Sequence, residues 1–146
     1  MNKKLSAKFY ISLKSVIRDK DGRFLVLKSP AKSKYFRGKY DLPGGTIDFN
    51  ETKTNFHKII QREIKEECGS IKYSLRPDPV SLSMYQYNVK HQHFYILFEA
   101  NYLSGKIKIS PEHISFKWVK INQNNIKKIF HSSLQKLITN YINWNK

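Results

Sequence analysis

The pattern of hydrophobic and polar residues predicts short strands both before and after one central helix in the sequence. Strand character occurs in residues 9–17, 23–27, 39–42, 80–89, 94–102, 106–109 and 114–119. The turn residues Asp19-Lys20-Asp21-Gly22 join the first two segments, which predicts a β-hairpin at the start of the fold.

A helix is predicted over residues 52–68, which contain neither glycine nor proline. Phe56, Ile60 and Ile64 recur at every fourth position, and Gly69 follows where a helix commonly ends in glycine. The tail repeats helical spacing between Ile126 and Tyr141. The order of strands, helix, strands and helix predicts an α/β (α+β) sandwich, in which a mixed β-sheet lies between helices.

The length of 146 residues fits one domain, 1–146, with a core of its own. The single cysteine excludes an intrachain disulfide and suits a reducing compartment, so we expect a cytoplasmic protein. The basic N-terminal stretch through Ile17 is interpreted as a first strand and not as a signal peptide. No apolar run is long enough to cross a membrane, so no membrane partner is expected.

The charge is strongly basic: 27 lysines and arginines against 11 acids give a net charge of +16. Such a surface attracts anions, among them nucleotides and RNA. The alternative is that the excess lysine forms a solvated surface without a ligand. Charge alone leaves both interpretations open.

The acidic residues are clustered, since four of the six glutamates lie between Glu51 and Glu67. Glu63, Glu66 and Glu67 have the spacing i, i+3 and i+4, which on a helix places them within an arc of roughly 100°. Like charges at this spacing repel, whereas a divalent cation such as Mg²⁺ or Mn²⁺ would turn the repulsion into attraction. A solvated acidic face paired with nearby bases is the alternative.

These residues resemble the Nudix box of the MutT-type hydrolases. Gly45 is followed by five residues and then Glu51, and residues 62–69 read Arg-Glu-Ile-Lys-Glu-Glu-Cys-Gly, as in the box. The segments 21–28, 39–45 and 111–119 resemble the flanks of the box. The chain is thereby identified as a member of this family, which implies a Nudix-like fold.

The sequence departs from the box at three places. Ten residues separate Glu51 from Arg62 where the family pattern has seven, Asn50 replaces a glycine, and Ser70 replaces an apolar residue. The three additional residues could extend the helix by nearly one turn or bulge as a loop. In either case the usual pairing of Glu51 with Arg62 is in doubt.

The resemblance implies hydrolysis of a diphosphate linkage in a nucleoside diphosphate joined to another group, with Mg²⁺ or Mn²⁺ as cofactor. It implies Glu63, Glu66 and Glu67 as metal ligands, with the Gly45 carbonyl as a fourth. Arg62 would orient the carboxylates. The general base would be Glu63 or Glu67, or else Glu112 from a later loop.

Substrate contacts are predicted more broadly. Lys28 and Lys39 flank the expected mouth of the site and are candidates for phosphate contacts. A base could stack on one of four aromatic residues, namely Tyr35, Phe36, Tyr85 and Tyr87, and Tyr87 falls roughly where family members acting on dinucleoside polyphosphates carry a tyrosine.

Three functional hypotheses remain open at this point. The first is an enzyme acting on a small nucleotide, such as a nucleoside triphosphate or a nucleotide sugar. The second is a pyrophosphohydrolase of the RNA 5′ end, which the net charge of +16 favours. The third is a non-catalytic nucleotide-binding module on the same fold, supported by the insertion after Glu51. A homodimer is compatible with the family and is not readable from the sequence.

Overall fold

The computed structural model describes residues 5–34 and 36–145, so the stacking candidate Tyr35 lies outside the described residues. Eight strands form one mixed sheet: β1 (Tyr10–Arg18), β2 (Phe24–Lys28), β3 (Tyr40–Asp41), β4 (Gly44–Thr46), β5 (Lys72–Leu75), β6 (Ser81–Asn88), β7 (His91–Ser104) and β8 (Ser115–Val119). The helices are α1 (Phe56–Cys68), the short α2 (Ile126–Ile129) and α3 (Ser132–Trp144).

The parallel pair of β1 and β7 forms the centre of the sheet, with a register from Tyr10–His93 to Arg18–Asn101. Next to β1 lies β2, which is antiparallel to β1 at the predicted hairpin and also antiparallel to β8. On the other side of β7, β6 and β5 pair with successive parts of this long strand. The predicted mixed sheet is confirmed.

Successive side chains of the central strands enter two different cores, because strand residues alternate between the faces of a sheet. Val16 and Val26 pack towards α2 and α3, together with Leu134. Their neighbours Ile17 and Leu27 pack on the opposite face, towards α1. The helices therefore lie on both faces of the sheet, as the sequence predicted.

The central helix begins later than predicted, at Phe56 instead of residue 52. The Asn55 side chain accepts a hydrogen bond from the His57 backbone N–H at 2.8 Å, which caps the helix at this point. A 3₁₀ turn at Phe49–Glu51 and an exposed turn at residues 52–54 precede it. At the other end Gly69 adopts a φ of 85° and terminates the helix as expected.

Three further details differ from the prediction. Residues 106–109 are not a strand, because the Lys108 backbone N–H bonds to the Cys68 carbonyl instead of to a strand partner. Strand β5 was not predicted. The tail helix is interrupted at Phe130, whose extended backbone separates α2 from α3. Among the described residues no helix is long and apolar enough to span a membrane.

Candidate active site

The segment Pro43-Gly44-Gly45, here called the Pro-Gly-Gly turn, leads directly into β4, which lies antiparallel to β1. Gly44 has a φ of +147°, and a Cβ added to it would lie 2.0 Å from the Leu13 carbonyl oxygen. A side chain at this position would therefore clash with the backbone of β1. Glycine is needed here for the two strands to approach each other.

The absence of a side chain at Gly45 leaves space for the carboxylate of Glu63 on α1. A Cβ on Gly45 would lie 2.6 Å from Glu63 Oε1, so this side chain rests against the Gly45 backbone. Burial raises the pKa of Glu63, with Arg62 opposing the shift and Glu66 adding to it. The Pro-Gly-Gly turn and the predicted carboxylate helix thus meet at Glu63.

Glu67 is the buried carboxylate of the helix, with only 5% of its surface exposed. Its Oε2 accepts a hydrogen bond from the Gly44 backbone N–H at 3.0 Å. Burial raises the pKa of Glu67 to about 8, although the ammonium of Lys14 opposes the shift. A cation bound beside Glu67 would stabilise the ionised form that burial disfavours, so its environment fits a divalent metal ion.

Glu66 lies at the exposed edge of the helix. Its side chain is 56% exposed, and both of its oxygens accept hydrogen bonds from Arg62 Nη1, at 3.0 and 3.1 Å. Of the three predicted metal ligands, Glu63 and Glu67 therefore face the glycine strand and Glu66 lies at the exposed edge.

A later loop brings Glu112 to the same place. A ring nitrogen of His113 and carboxylate oxygens of Glu67 and Glu112 all lie within 4.8 Å of one another. The loop is held by a hydrogen bond from the Ile114 N–H to the Lys28 carbonyl at the end of β2. The predicted late-loop glutamate therefore reaches the carboxylate helix, together with a histidine to which the sequence analysis assigned no role.

A buried ion pair lies beside this cluster. Lys14 Nζ is 3.0 Å from Asp41 Oδ1, and both side chains are less than a tenth exposed. Burial disfavours both charges, but their mutual attraction raises the pKa of Lys14 and lowers that of Asp41, with His113 contributing to the second shift. The sequence signal for this pair was a lysine in the middle of an apolar strand.

Two cavities share lining residues, and Gly45 lines the smaller of them, the inner cavity. The inner one, of about 170 Å³, is lined by Lys14, Phe36, Gly45 and Tyr87 among others. The outer groove, of about 440 Å³, shares Phe36 and Tyr87 and adds a basic rim formed by Lys34, Arg37 and Lys39. The site therefore combines carboxylates, aromatic walls and a cationic rim, an arrangement suited to an anion that carries a ring.

The predicted substrate residues differ in their positions. Tyr87 lines both cavities, and its hydroxyl is hydrogen-bonded to that of Tyr95. Lys39 lines the outer groove and donates to the Lys128 carbonyl at 3.1 Å. Lys28 instead lies over the Tyr40 ring, 5.6 Å from its centroid.

A model of the NUDIX domain matches residues 11–141 of the chain. The chain belongs to the Nudix family. It is a Nudix-type pyrophosphohydrolase, with a fold shared by many solved structures. No curated protein matches the chain by sequence.

Three solved Nudix structures illustrate the similarity. A MutT protein from Methanosarcina mazei Go1 is 25% identical with a TM-score of 0.76, covering 98% of this chain and 99% of that one. An Ap4A hydrolase from C. elegans is 20% identical with a TM-score of 0.70, covering 93% and 97%. The NUDIX domain of Shewanella oneidensis NrtR, complexed with ADP ribose, is 13% identical with a TM-score of 0.71, covering 97% and 91%. The last two show the fold alone.

The Nudix box keeps its central ion pair despite the insertion. Arg62 Nη2 lies 2.7 Å from Glu51 Oε2 and 3.2 Å from Glu63 Oε1. Glu51 is oriented by the Asp48 backbone N–H, which donates to its Oε1 at 3.0 Å. The doubt about this pairing was therefore unfounded, because the additional residues form a turn outside the helix.

Proposed function

We propose that this Nudix enzyme cleaves the diphosphate linkage of a small nucleotide, such as a nucleoside triphosphate or a nucleotide sugar. The observation that carries the proposal is the continuity between the carboxylate cluster and the aromatic cavity. Gly45 touches Glu63 on one side and lines the cavity with Phe36 and Tyr87 on the other. A diphosphate at the carboxylates would therefore leave its nucleoside beside the aromatic rings.

A divalent cation, Mg²⁺ or Mn²⁺, fits the oxygen donors of this site. Glu63, Glu66, Glu67 and the Gly45 carbonyl would hold it, with Glu66 turning from its present contact with Arg62. When bound, such a cation neutralises phosphate oxygens and lowers the pKa of an attacking water.

The side chains of the protein would orient the carboxylates and accept the proton of the attacking water. Arg62 contacts Glu51, Glu63 and Glu66, and would hold the carboxylates in position by charge-assisted hydrogen bonds. The general base would be Glu63 or Glu67 on the helix, or Glu112 on the opposing loop. Each could accept a proton from water between the helix and the loop.

The walls of the cavities support a nucleotide as substrate. Phe36 and Tyr87 offer ring faces for stacking, and Lys39 would contact a phosphate at the rim of the outer groove. Lys28, which faces Tyr40, would reach a phosphate only by changing its side-chain conformation. Solved structures of the same fold include an Ap4A hydrolase and a UDP-X diphosphatase.

The proposal is tested by assaying phosphate and nucleotide release with Mg²⁺ or Mn²⁺. The panel holds nucleoside triphosphates, nucleotide sugars, dinucleoside polyphosphates and a short triphosphorylated RNA. Glu67→Gln should lower turnover by about a hundredfold or more, as expected for loss of a metal ligand, and Glu66→Gln should also lower it strongly. Asp78→Asn, at an exposed acid in the loop between β5 and β6, is the matched control and should retain activity.

Two outcomes would redirect the assignment. Hydrolysis confined to the triphosphorylated RNA would favour the second candidate, a pyrophosphohydrolase of the RNA 5′ end, for which the net charge of +16 and the basic rim are the supporting observations. Nucleotide binding without turnover on any substrate would favour a non-catalytic module.

A further inference from the structure

His113 is a buried side chain with an unused nitrogen. Only 8% of its surface is exposed, and its Nε2 lies 3.9 Å from Asp41 Oδ2. Within residues 5–34 and 36–145, no group forms a hydrogen bond with its Nδ1. A buried polar atom of this kind costs free energy unless a ligand engages it.

The position of the ring identifies the kind of ligand. One of its nitrogens is within 4.8 Å of carboxylate oxygens of both Glu67 and Glu112. Glu67 lies on α1, and Glu112 lies on the late loop next to His113. The three side chains therefore surround a point between the helix and the loop. Two carboxylates and one imidazole are a ligand set for a divalent transition-metal ion.

We propose that His113 is a nitrogen ligand of a divalent cation that Glu67 and Glu112 also bind, and that this nitrogen makes the site favour Mn²⁺ over Mg²⁺. The inference rests on the proposed metal-dependent function, since it shares Glu67 with the catalytic carboxylates. The inference goes beyond the proposed function in two respects: His113 is a ligand outside the Nudix box, and the site prefers Mn²⁺ to Mg²⁺.

Asp41 is placed to support the imidazole as carboxylates support metal-bound histidines, since its Oδ2 lies 3.9 Å from Nε2 and a small movement would form the hydrogen bond. A histidine ligand commonly donates its second N–H to a carboxylate, which fixes the tautomer and the ring orientation. Asp41 lies on the Nε2 side of His113 and is itself fixed by Lys14 and by the Leu42 backbone N–H, at 3.0 and 2.7 Å. Lys14 balances the charge of Asp41, so this carboxylate can serve as an acceptor without being a ligand.

The rival interpretation is a protonated imidazole that forms ion pairs with the surrounding acids. A protonated ring has a hydrogen on both nitrogens and needs two acceptors. Nδ1 has no acceptor among the described residues, so an ion-paired ring would leave this nitrogen without a partner, whereas a metal ion would engage it. The preference for Mn²⁺ follows because Mg²⁺ takes oxygen ligands and binds imidazole poorly, whereas transition metals accept both.

The test is pulsed electron paramagnetic resonance of the full chain saturated with Mn²⁺, which detects a ¹⁴N nucleus bound to the ion. Wild type should show the ¹⁴N coupling, His113→Asn should lose it, and the control His91→Asn should keep it. In equilibrium titrations, His113→Asn should weaken Mn²⁺ binding by about tenfold or more and Mg²⁺ binding much less.

The absence of ¹⁴N coupling in wild type would overturn the inference, and this measurement does not depend on whether the variant folds. Coupling that persists in His113→Asn would overturn it as well, because the nitrogen would then belong to another residue. Failure of the proposed function is a separate result: it would be seen as absent hydrolysis in a protein that still shows the coupling. Hydrolysis without coupling would leave the proposed function intact and remove His113 from the site.

Discussion

Arg62 Nη2 lies 2.7 Å from Glu51 Oε2, although ten residues separate the two positions in the sequence. The contact forms because residues 52–54 make an exposed turn and α1 begins only after it, at Phe56. The guanidinium also reaches Glu63 and Glu66, so a single arginine connects the loop before the helix with two predicted metal ligands. The insertion therefore changes the length of the connection and not the arrangement of the charges.

This arrangement predicts that Arg62→Lys will impair turnover far more than stability. A lysine has one ammonium group and cannot hold three carboxylates in a fixed geometry, as the planar guanidinium does. We expect turnover to fall by about ten- to a hundredfold, while the free energy of unfolding changes by less than about 1 kcal/mol because the site is partly exposed. Steady-state kinetics and urea denaturation measure the two effects, and unchanged turnover would contradict a positioning role for Arg62.

The two adjacent glycines should respond differently to alanine. In Gly45→Ala the new methyl group meets the carboxylate of Glu63, which can rotate away, so the fold should persist while turnover falls by about a hundredfold. In Gly44→Ala the methyl group meets the Leu13 carbonyl, which cannot move aside, so the free energy of unfolding should drop by at least about 2 kcal/mol. Circular dichroism during thermal unfolding, with activity assays, separates these outcomes. Equal stability of both variants would be inconsistent with this geometry.

The sequence predicted those parts of the site that depend on local spacing. Glu63 and Glu67 lie on α1 beside the buried Ile60 and Ile64, as the helical pattern indicated. The contact between Lys14 and Asp41 is different, because it joins strands that are 27 positions apart and depends on the sheet register. The lysine in the middle of an apolar strand was a local signal for a buried charge, but it did not identify Asp41 as the partner or place His113 beside the pair.

Local patterns also explain the errors in the fold. Residues 106–109 alternate like a strand, but the chain there bonds to the end of α1 and its apolar side chains pack on the core from a loop. Strand β5 has only two partly buried side chains, Tyr73 and Leu75, so its alternation was too weak to be recognised. In both cases the hydrogen-bond partner, and not the side-chain pattern, decides whether a strand forms.

The buried pair of Lys14 and Asp41 predicts strongly non-additive stability effects. Lys14→Met should lower the free energy of unfolding by about 3 kcal/mol, because it leaves Asp41 buried without its main counter-charge. In the double variant Lys14→Met/Asp41→Asn the unpaired charge is gone, and the asparagine oxygen can still accept from the Leu42 N–H. The loss should therefore be smaller than the sum of the two single losses by at least about 1 kcal/mol in urea denaturation. Additive losses would argue against the ion pair.

Asp19 predicts a pH-dependent contribution to stability at acid pH. Burial opposes its ionisation, but hydrogen bonds from the Arg23 backbone, the Arg23 guanidinium and the Asp21 backbone outweigh it and lower the pKa of Asp19. A carboxyl with a lowered pKa in the folded state stabilises the fold above its unfolded pKa, about 3.9, and loses this effect as the pH falls through the folded value. Asp19→Asn keeps the oxygen acceptor and removes the charge. The stability difference between wild type and variant should therefore stay constant down to about pH 5 and shrink below it, and a difference that stays constant in more acidic solution would contradict the assignment.

The net charge of +16 makes salt dependence a test of substrate size. An RNA running along the basic rim of the outer groove would have several phosphates neutralised by lysine and arginine, and each such contact adds about −0.7 to the slope of log affinity against log salt. A small nucleotide presents only two or three phosphates, so its slope can reach only about −2. The measurement is kcat/KM between low and physiological KCl at constant Mg²⁺, for the best nucleotide and for a triphosphorylated RNA.

The rim residues make this test specific to the site. Lys34, Arg37 and Lys39 line the outer groove, whereas Lys53 and Lys58 are exposed near the start of α1. If the substrate is a small nucleotide, the slope of log kcat/KM against log salt stays shallow. Arg37→Gln then lowers kcat/KM but changes this slope by no more than about 0.7, the contribution of one phosphate contact. If RNA is the substrate, Arg37→Gln flattens a steep slope, while the control Lys53→Gln leaves it unchanged. A steep slope that responds equally to both variants would mean that the basic surface acts through its overall field and that the groove does not define the ligand.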